Sequence, residues 1–339
     1  MAGIRGRVGR VWGALAAAVL VAAATLSVAQ ETRYFRIGTA ATSGTYYPVG
    51  GLIAGAISNP PGSRPCDKGG SCGVPGLIAV AQSTQGSVQN VELIGRGQLE
   101  AGLSQSDIAY WAQTGTSTFV QRGRVEELRA VANLYAEHIH LVVPWDSPIT
   151  KVAELRGKRV SLGELSSGTL VDAKLILAAY GLGEADLDPV YASPDLASDD
   201  LIAGKLDAYF LIAGAPAPAI AELASQRDIR LIPIEGPEAD KLLADTKFFS
   251  RATIPANVYA GVEATATLAV SAQLVVSARL PEELVHSMAR AIWHPATRAL
   301  LDSGHPQGRN IRIETALDGL AIPLHPGAER FYKESGRIK

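Results

Sequence analysis

The chain has 339 residues, room for about two domains of ordinary size. Hydrophobic residues make up 47% and charged residues 19%, a balance that excludes disordered, collagen-like and coiled-coil chains. Lys plus Arg is 31 against Asp plus Glu 33, so a net charge of −2 carries no basic surplus for a nucleic acid. Two cysteines alone cannot make a zinc site of three or four thiolates.

At the N-terminus, Arg5, Arg7 and Arg10 precede an apolar run from Val11 to Val28, and Ser27-Val28-Ala29 sets small side chains ahead of Gln30. That order predicts a secretory signal peptide over residues 1–29. The alternative is a membrane anchor, since roughly 18 apolar residues just span a bilayer. The alanine-rich run and the adjoining cleavage site favour removal. Cleavage takes away three Arg and no acid, moving the formal charge from −2 to −5. No later stretch is long and unbroken enough to span a membrane, so the mature chain is expected to be a soluble periplasmic monomer. In that compartment Cys66 and Cys72, inside CDKGGSCGVPG, read as a small disulfide-closed loop. A redox-active pair would prefer a two-residue spacing at a helix start.

Along the mature chain, strand-like runs alternate with helical patterns, which predicts an α/β fold with mostly parallel sheets. Arg36–Thr39 reads as a strand, and Val49, Ile53, Ala56 and Ile57 mark a helix behind Pro48. Ile78–Gln82 reads as a strand, Ser87 onward as a helix ended by Gly97, and Ala101–Leu103 as a strand. The order then returns: strand Val160–Leu162, turn 166–169, and a helix marked by Val171, Leu175, Ala178 and Leu182. IGTAATSGT (37–45) lies over SLGELSSGT (161–169), and IGRGQLEAGLSQSD (94–107) over LIAGKLDAYFLIAG (201–214), pairing Glu100 with Asp207. Two matches in one order predict two similarly built lobes. β runs at His138–Val143 and Leu268–Val276 serve as the crossings between them. Lobe I is assigned to 30–143 and 268–339, lobe II to 144–267. A helix from Pro281 through Trp293 and a Pro- and Gly-marked tail complete the chain.

In such sheets a ligand sits beyond the carboxyl ends of the strands, in the loops leading into helices. Those loops supply the candidate ligand-binding residues Thr42, Ser43, Thr45, Tyr46, Tyr47, Ser83, Thr84, Ser87, Gln105, Ser106, Asp107, Ser166, Ser167, Gly168, Thr169 and Gly214, with His140 at the crossing. Hydroxyls, close backbone approach at Gly and the positive ends of helix dipoles suit a small carboxylate. None of these loops offers a Lys or Arg, which argues against phosphate-rich ligands. Ser and Thr at these places also cap helices. Asp107 either pairs with a ligand ammonium or caps the helix from Ile108. Glu164 is the other acid placed to meet an ammonium, and Phe210 reads as core.

The segments RIGTAATSGTYYPVGGLIA, QSTQGSVQNVELIGRGQLEAGLSQSDIAY, HIHLVV, LRGKRVSLGELSSGT, KLDAYFLIAGAPAPAI and IPLHPGAERFYKESG resemble the TAXI family of extracytoplasmic solute receptors. These receptors serve tripartite ATP-independent periplasmic (TRAP) transporters. The resemblance runs in order over essentially the whole mature chain. It implies a type II periplasmic-binding-protein fold, an ion-driven membrane permease as partner, and a glutamate-like amino acid or a dicarboxylate such as 2-oxoglutarate as ligand. Segment 60–76, which holds both cysteines, looks like an insertion found in some members.

An enzyme reading finds no G-x-S-x-G elbow, no H-E-x-x-H and no phosphate loop. His138 and His140 share one side of a strand, but no acid-rich or Cys-rich cluster joins them into a metal site. Neither catalysis, a metal nor a cofactor is therefore expected. A receptor that signals to a membrane kinase is the remaining alternative to transport.

Overall fold

The computed structural model describes residues 32–339, so the signal peptide expected over residues 1–29 lies outside the described part. In chain order the strands are β1 (Arg33–Gly38), β2 (Ser58–Asn59), β3 (Val74–Pro75), β4 (Leu77–Gln82), β5 (Ala101–Gln105) and β6 (Leu128–Pro144). They continue as β7 (Arg159–Ser161), β8 (Asp188–Val190), β9 (Ala208–Ala213), β10 (Ile229–Leu231), β11 (Ser250–Ile254) and β12 (Thr265–Ser277). The helices begin with α1 (Tyr46–Ile57), α2 (Ser87–Gly95), α3 (Ser106–Thr114), α4 (Phe119–Arg122), α5 (Gly168–Ala179) and α6 (Pro194–Ile202). They end with α7 (Pro218–Gln226), α8 (Pro237–Asp245), α9 (Glu282–Ile292), α10 (Pro295–Gly304) and α11 (Pro326–Glu334).

Ten strands form one sheet in the order β4-β1-β5-β12-β6-β9-β7-β8, with β10 beside β6 and β11 beside β12. β1 lies parallel between β4 and β5, and β7 lies parallel between β8 and β9. β12 runs antiparallel to β5, and β6 antiparallel to β9. Each half of the sheet is therefore three parallel strands with helical crossovers plus one antiparallel strand arriving from the other half. β6 and β12 pair with each other along most of their length, with register shifts at Ala272/Gln273 and Leu274/Val275. Such irregularities bend a strand and raise its twist, and these lie where the two halves meet.

Alternation along the strands fills both faces of each half-sheet. Leu141, Phe210 and Ile212 pack with Val160, Ile176 and Leu177 on one face, while Val142, Tyr209 and Leu211 pack with Leu201, Ile220 and Leu223 on the other. The first half does the same, with Leu103, Leu274 and Val276 against α1 and α9, and Val275, Ala130 and Leu128 against α2 and α3. Helices thus cover both faces of the sheet.

The internal repeat is real but its register differs from the sequence overlay by one residue. Ile37 pairs with Ala101 while Val160 pairs with Ala208. With Ala101 over Ala208, Ile37 matches Val160 rather than Ser161, and the turn from β1 to α1 is one residue longer than that from β7 to α5. A one-residue slip would turn every side chain to the opposite face, so burial fixes the choice. The corrected register aligns Arg36 with Arg159. Each clamps the matched acid in the same way: Arg36 Nη2 lies 2.7 Å from Glu100 Oε1 and Arg159 Nη2 lies 2.6 Å from Asp207 Oδ1. The backbone N–H of each Arg donates to the same carboxylate.

Cys66 and Cys72 are joined by a disulfide, with Cα atoms 4.7 Å apart, in a loop that follows α1. The Pro-marked tail holds two helices, α10 and α11. His294 and His325 cap them, each accepting at Nδ1 the N–H of the residue two further on, and proline holds the first helical position of each. Among the described residues, no helix is long and apolar enough to cross a membrane.

Candidate functional site

A cavity lies at the junction of the two half-sheets, beyond the carboxyl ends of β1, β4, β5, β7, β8 and β9. About 50 Å³ of it is open to the centre of a water-sized sphere. That is room for a few waters, which need on the order of 10–15 Å³ each. The starts of four helices reach its wall: Thr45–Tyr46 at α1, Gly86–Ser87 at α2, Ser167–Thr169 at α5 and Pro194 at α6. Helix starts carry partial positive charge and orphan N–H groups. Strand residues Gln105, Glu137 and Phe210–Ala213 form the floor.

The halves touch across this cavity. Thr45 Oγ1 donates to the carbonyl of Gly214 at 2.8 Å, and Ser43 Oγ to Asp195 Oδ1 at 2.9 Å. The N–H of Ala219 donates to Ser43 O at 3.0 Å, and that of Gln89 to Ser166 O at 3.0 Å. The N–H of Ser166 donates to Gln85 Oε1 at 3.1 Å. Deepest of all, Gln105 Nε2 donates to Asp172 Oδ2 at 2.7 Å. The arrangement is a closed cleft.

Of the residues singled out from sequence, Thr45, Tyr46, Ser87, Gln105, Ser167, Gly168 and Thr169 line the cavity together. Ser43, Ser166 and Gly214 lie beside it and make the cross-cleft bonds just described. Thr42 and Ser83 are exposed, and Tyr47 is 36% exposed on the outer side of α1. Thr84 is spent on structure, donating to Thr39 O and Asn90 Oδ1. Ser106 is buried at the start of α3. Asp107 is wholly buried beneath the floor, where Oδ1 accepts the N–H of Ile108. His140 is also buried away from the lining. Its Nδ1 lies 3.1 Å from the carbonyl of Leu211, which can only accept, so Nε2 accepts from Tyr259 Oη at 2.9 Å. Burial holds the ring's pKa down to about 3, which keeps it neutral. Tyr259 Oη in turn accepts the N–H of Ala217 at 2.9 Å, so this chain fixes the loop after β9.

Sequence reasoning missed Glu137, Gln85, Gly86 and Gly163, and it placed Phe210 in the core, where the side chain also meets the cavity. Glu137 is 2% exposed. Its Oε2 accepts from Tyr46 Oη at 2.6 Å, and burial pushes its pKa up to about 8 against the opposing hydrogen bond from Tyr46. Asp107 and Asp172 meet beneath the floor, one from α3 and one from α5. Burial raises both pKa values, and the charge of Asp107 raises that of Asp172 further, while Asp107 Oδ2 and Asp172 Oδ1 are buried without a hydrogen-bond partner. Glu164, at the mouth, is also raised by burial and then by the charge of Asp195. Among the described residues, no Lys, Arg or His lines the cavity. The signal that could have found Glu137 is an acid inside the largely apolar run LYAEHIHLVV.

The profile of the NMT1-like family matches residues 37–336. The chain belongs to that family. Among solved structures, this NMT1-like chain is similar to one described as a periplasmic transporter, at 14% identity and a TM-score of 0.50, covering 90% of this chain and 93% of that one. It is also similar to the periplasmic aliphatic sulphonate binding protein SsuA from Escherichia coli, at 15% identity and a TM-score of 0.44, covering 88% and 78%. A third is the substrate binding protein of an amino acid ABC transporter, at 14% identity and a TM-score of 0.44, covering 81% and 100%. The fold of this NMT1-like protein is that of the periplasmic binding proteins.

Proposed function

We propose that the chain is an exported solute receptor of a membrane transporter and not an enzyme. It captures a small carboxylate, a glutamate-like amino acid or a dicarboxylate such as 2-oxoglutarate, between lobes assigned to 30–143 with 268–339 and to 144–267. The resemblance to TAXI receptors makes a TRAP-type permease the partner. One observation carries the reading: a cavity walled by four helix starts, two from each half, is shut by hydrogen bonds between the halves. A ligand held this way touches both lobes, and only such a ligand has different affinity for open and closed forms. Backbone N–H groups at helix starts take the carboxylate without an Arg, as in other anion sites of this type.

Solution scattering and calorimetry test this together. Titrating small amino and oxo acids should give saturable binding, a smaller radius of gyration in the complex, and a ligand recovered chemically unchanged. An unchanged radius at saturation, or recovery of a product in excess of the protein, would reject the receptor reading.

A further inference from the structure

The polar wall of the cavity is one connected chain. Glu137 accepts from Tyr46 Oη, which lies 3.5 Å from Ser87 Oγ. Ser87 Oγ donates to Gln105 Oε1 at 3.3 Å and accepts the N–H of Gln105 at 3.1 Å. Gln105 then reaches Asp172. Among the described residues, the carboxyl groups in and beneath this wall are met by no Lys or Arg of the lining. Glu137 faces Tyr46 from α1, Asp107 from α3 and Asp172 from α5, with Tyr135 and His138 beside it on β6 and Glu164 at the mouth. The strand paired with it, β12, sets Val270 opposite and brings no charge. An anion at this end would meet Glu137 with two more acids behind it. A cation would meet a carboxylate already held by Tyr46.

We propose that Glu137 is the residue that selects the ligand's cationic group, receiving a protonated amine and releasing its own proton to solvent as it does so. The inference rests on the receptor reading above and adds the polarity of the site, with carboxylate toward the helix starts and ammonium toward β6. The exchange balances simply: a neutral carboxylic acid and an ammonium become a carboxylate–ammonium pair plus one solvated proton. Burial raises the pKa of Glu137 to about 8, which leaves it mostly protonated at neutral pH. Amine binding there favours the ionised form and lowers that value. The preference for an amine over its oxo counterpart should therefore climb by roughly tenfold per pH unit below pH 7 and flatten above about pH 8.

The probes are pairs that differ only in amine against carbonyl: L-glutamate and 2-oxoglutarate, L-alanine and pyruvate, L-leucine and 4-methyl-2-oxopentanoate. Calorimetry in two buffers of different ionisation enthalpy counts protons. Any proton taken up by Asp107 and Asp172 on closure is common to both members of a pair, so the difference within a pair isolates Glu137. In at least one pair, the amino acid should bind at least tenfold more tightly and release close to one more proton at pH 7. Glu137→Gln should erase both differences while still accepting from Tyr46. If that variant misfolds, the wild-type proton count and pH profile carry the test alone. An oxo acid bound as tightly as its amino partner, equal proton counts, or a folded Glu137→Gln with an unchanged preference overturns the role of Glu137 and leaves a receptor standing. Binding by no member of any pair overturns both readings.

Discussion

At the start of α5, two adjacent residues do different work. Ser167 caps the helix: its Oγ accepts the N–H of Leu170 at 3.1 Å and donates to Glu164 O at 2.7 Å. Gly168 lets the two halves approach, because a Cβ there would coincide with the amide oxygen of Gln105 and lie 3.0 Å from Ser87 Oγ. Gln105 is tied to Asp172 and does not swing away freely. Ser167→Ala should therefore cost about 1 kcal/mol of folding stability, the usual worth of an N-cap. It should weaken ligand binding only modestly, by less than tenfold. Gly168→Val should leave the melting temperature of unliganded protein nearly unchanged, since the collision exists only in the closed cleft, and should reduce affinity more than tenfold. Thermal melts and calorimetry on both variants separate these effects. Retained wild-type affinity in a folded Gly168→Val protein would show that the lobes do not close as described.

At the scale of elements, the repeated strand–helix unit carries its own fastening. Arg36 with Glu100 and Arg159 with Asp207 tie one parallel strand to the residue just before its neighbour, in matched places of the two halves. Both pairs are partly exposed, so water screens them and the pair itself contributes about 0–1 kcal/mol. The backbone N–H taken by each carboxylate adds a charge-assisted bond. Glu100→Ala and Asp207→Ala should each lower stability by about 1–2 kcal/mol, with like effects because the geometry is the same. Denaturant unfolding of both checks this. Asp207 sits below the usual carboxylate range, chiefly through its hydrogen bond to Arg159. Its contribution is therefore present above the unfolded pKa and lost as pH falls through the depressed folded value. The two single-acid variants should accordingly lose less stability than wild type on moving from pH 5 to pH 3.

For the molecule as a whole, the two halves meet over a pair of buried acids. Asp107 comes from the first half and Asp172 from the second, and burial raises the pKa of each, that of Asp172 further through the charge of Asp107. Opening the cleft lets water reach both, and their pKa values return toward the ordinary range near 4. A raised pKa in the closed form means that closure is fully favoured below the open-form value and weakens as pH rises through the closed-form value. Scattering at saturating ligand should show the compact form at mildly acidic pH and a larger average radius as pH is raised. Asp172→Asn supplies an amide donor to Asp107 and an acceptor to Gln105 without a proton, so it should flatten that dependence. A wild-type radius independent of pH, or a variant as pH-sensitive as wild type, would contradict this account.

The sequence by itself determined the architecture, because the period of apolar residues and the punctuation by Gly and Pro are local. The strands at β4, β5 and β7, the helices at α2 and α9, and the repeat that pairs Glu100 with Asp207 follow from such signals. So does the cysteine loop, since six residues rich in Gly leave little else for the pair to do. The rule that ligands sit beyond strand ends selected Thr45, Tyr46, Ser87, Gln105, Ser167, Gly168 and Thr169, which do converge on one cavity. Tertiary structure alone decided the rest. A one-residue difference between the two turns is invisible until the sheet register is seen, because only burial says which face Ile37 and Val160 must share. Loop position could not separate Ser87, which faces the cavity, from Thr84, which turns to Thr39 and Asn90. Nor could a run of strand residues show that Glu137 stands over the cavity while His140 is locked behind it by Tyr259. Those outcomes depend on contacts between residues tens to hundreds of positions apart, and the burial that such contacts create is what moves Glu137 from an ordinary carboxylate to one that titrates at about 8.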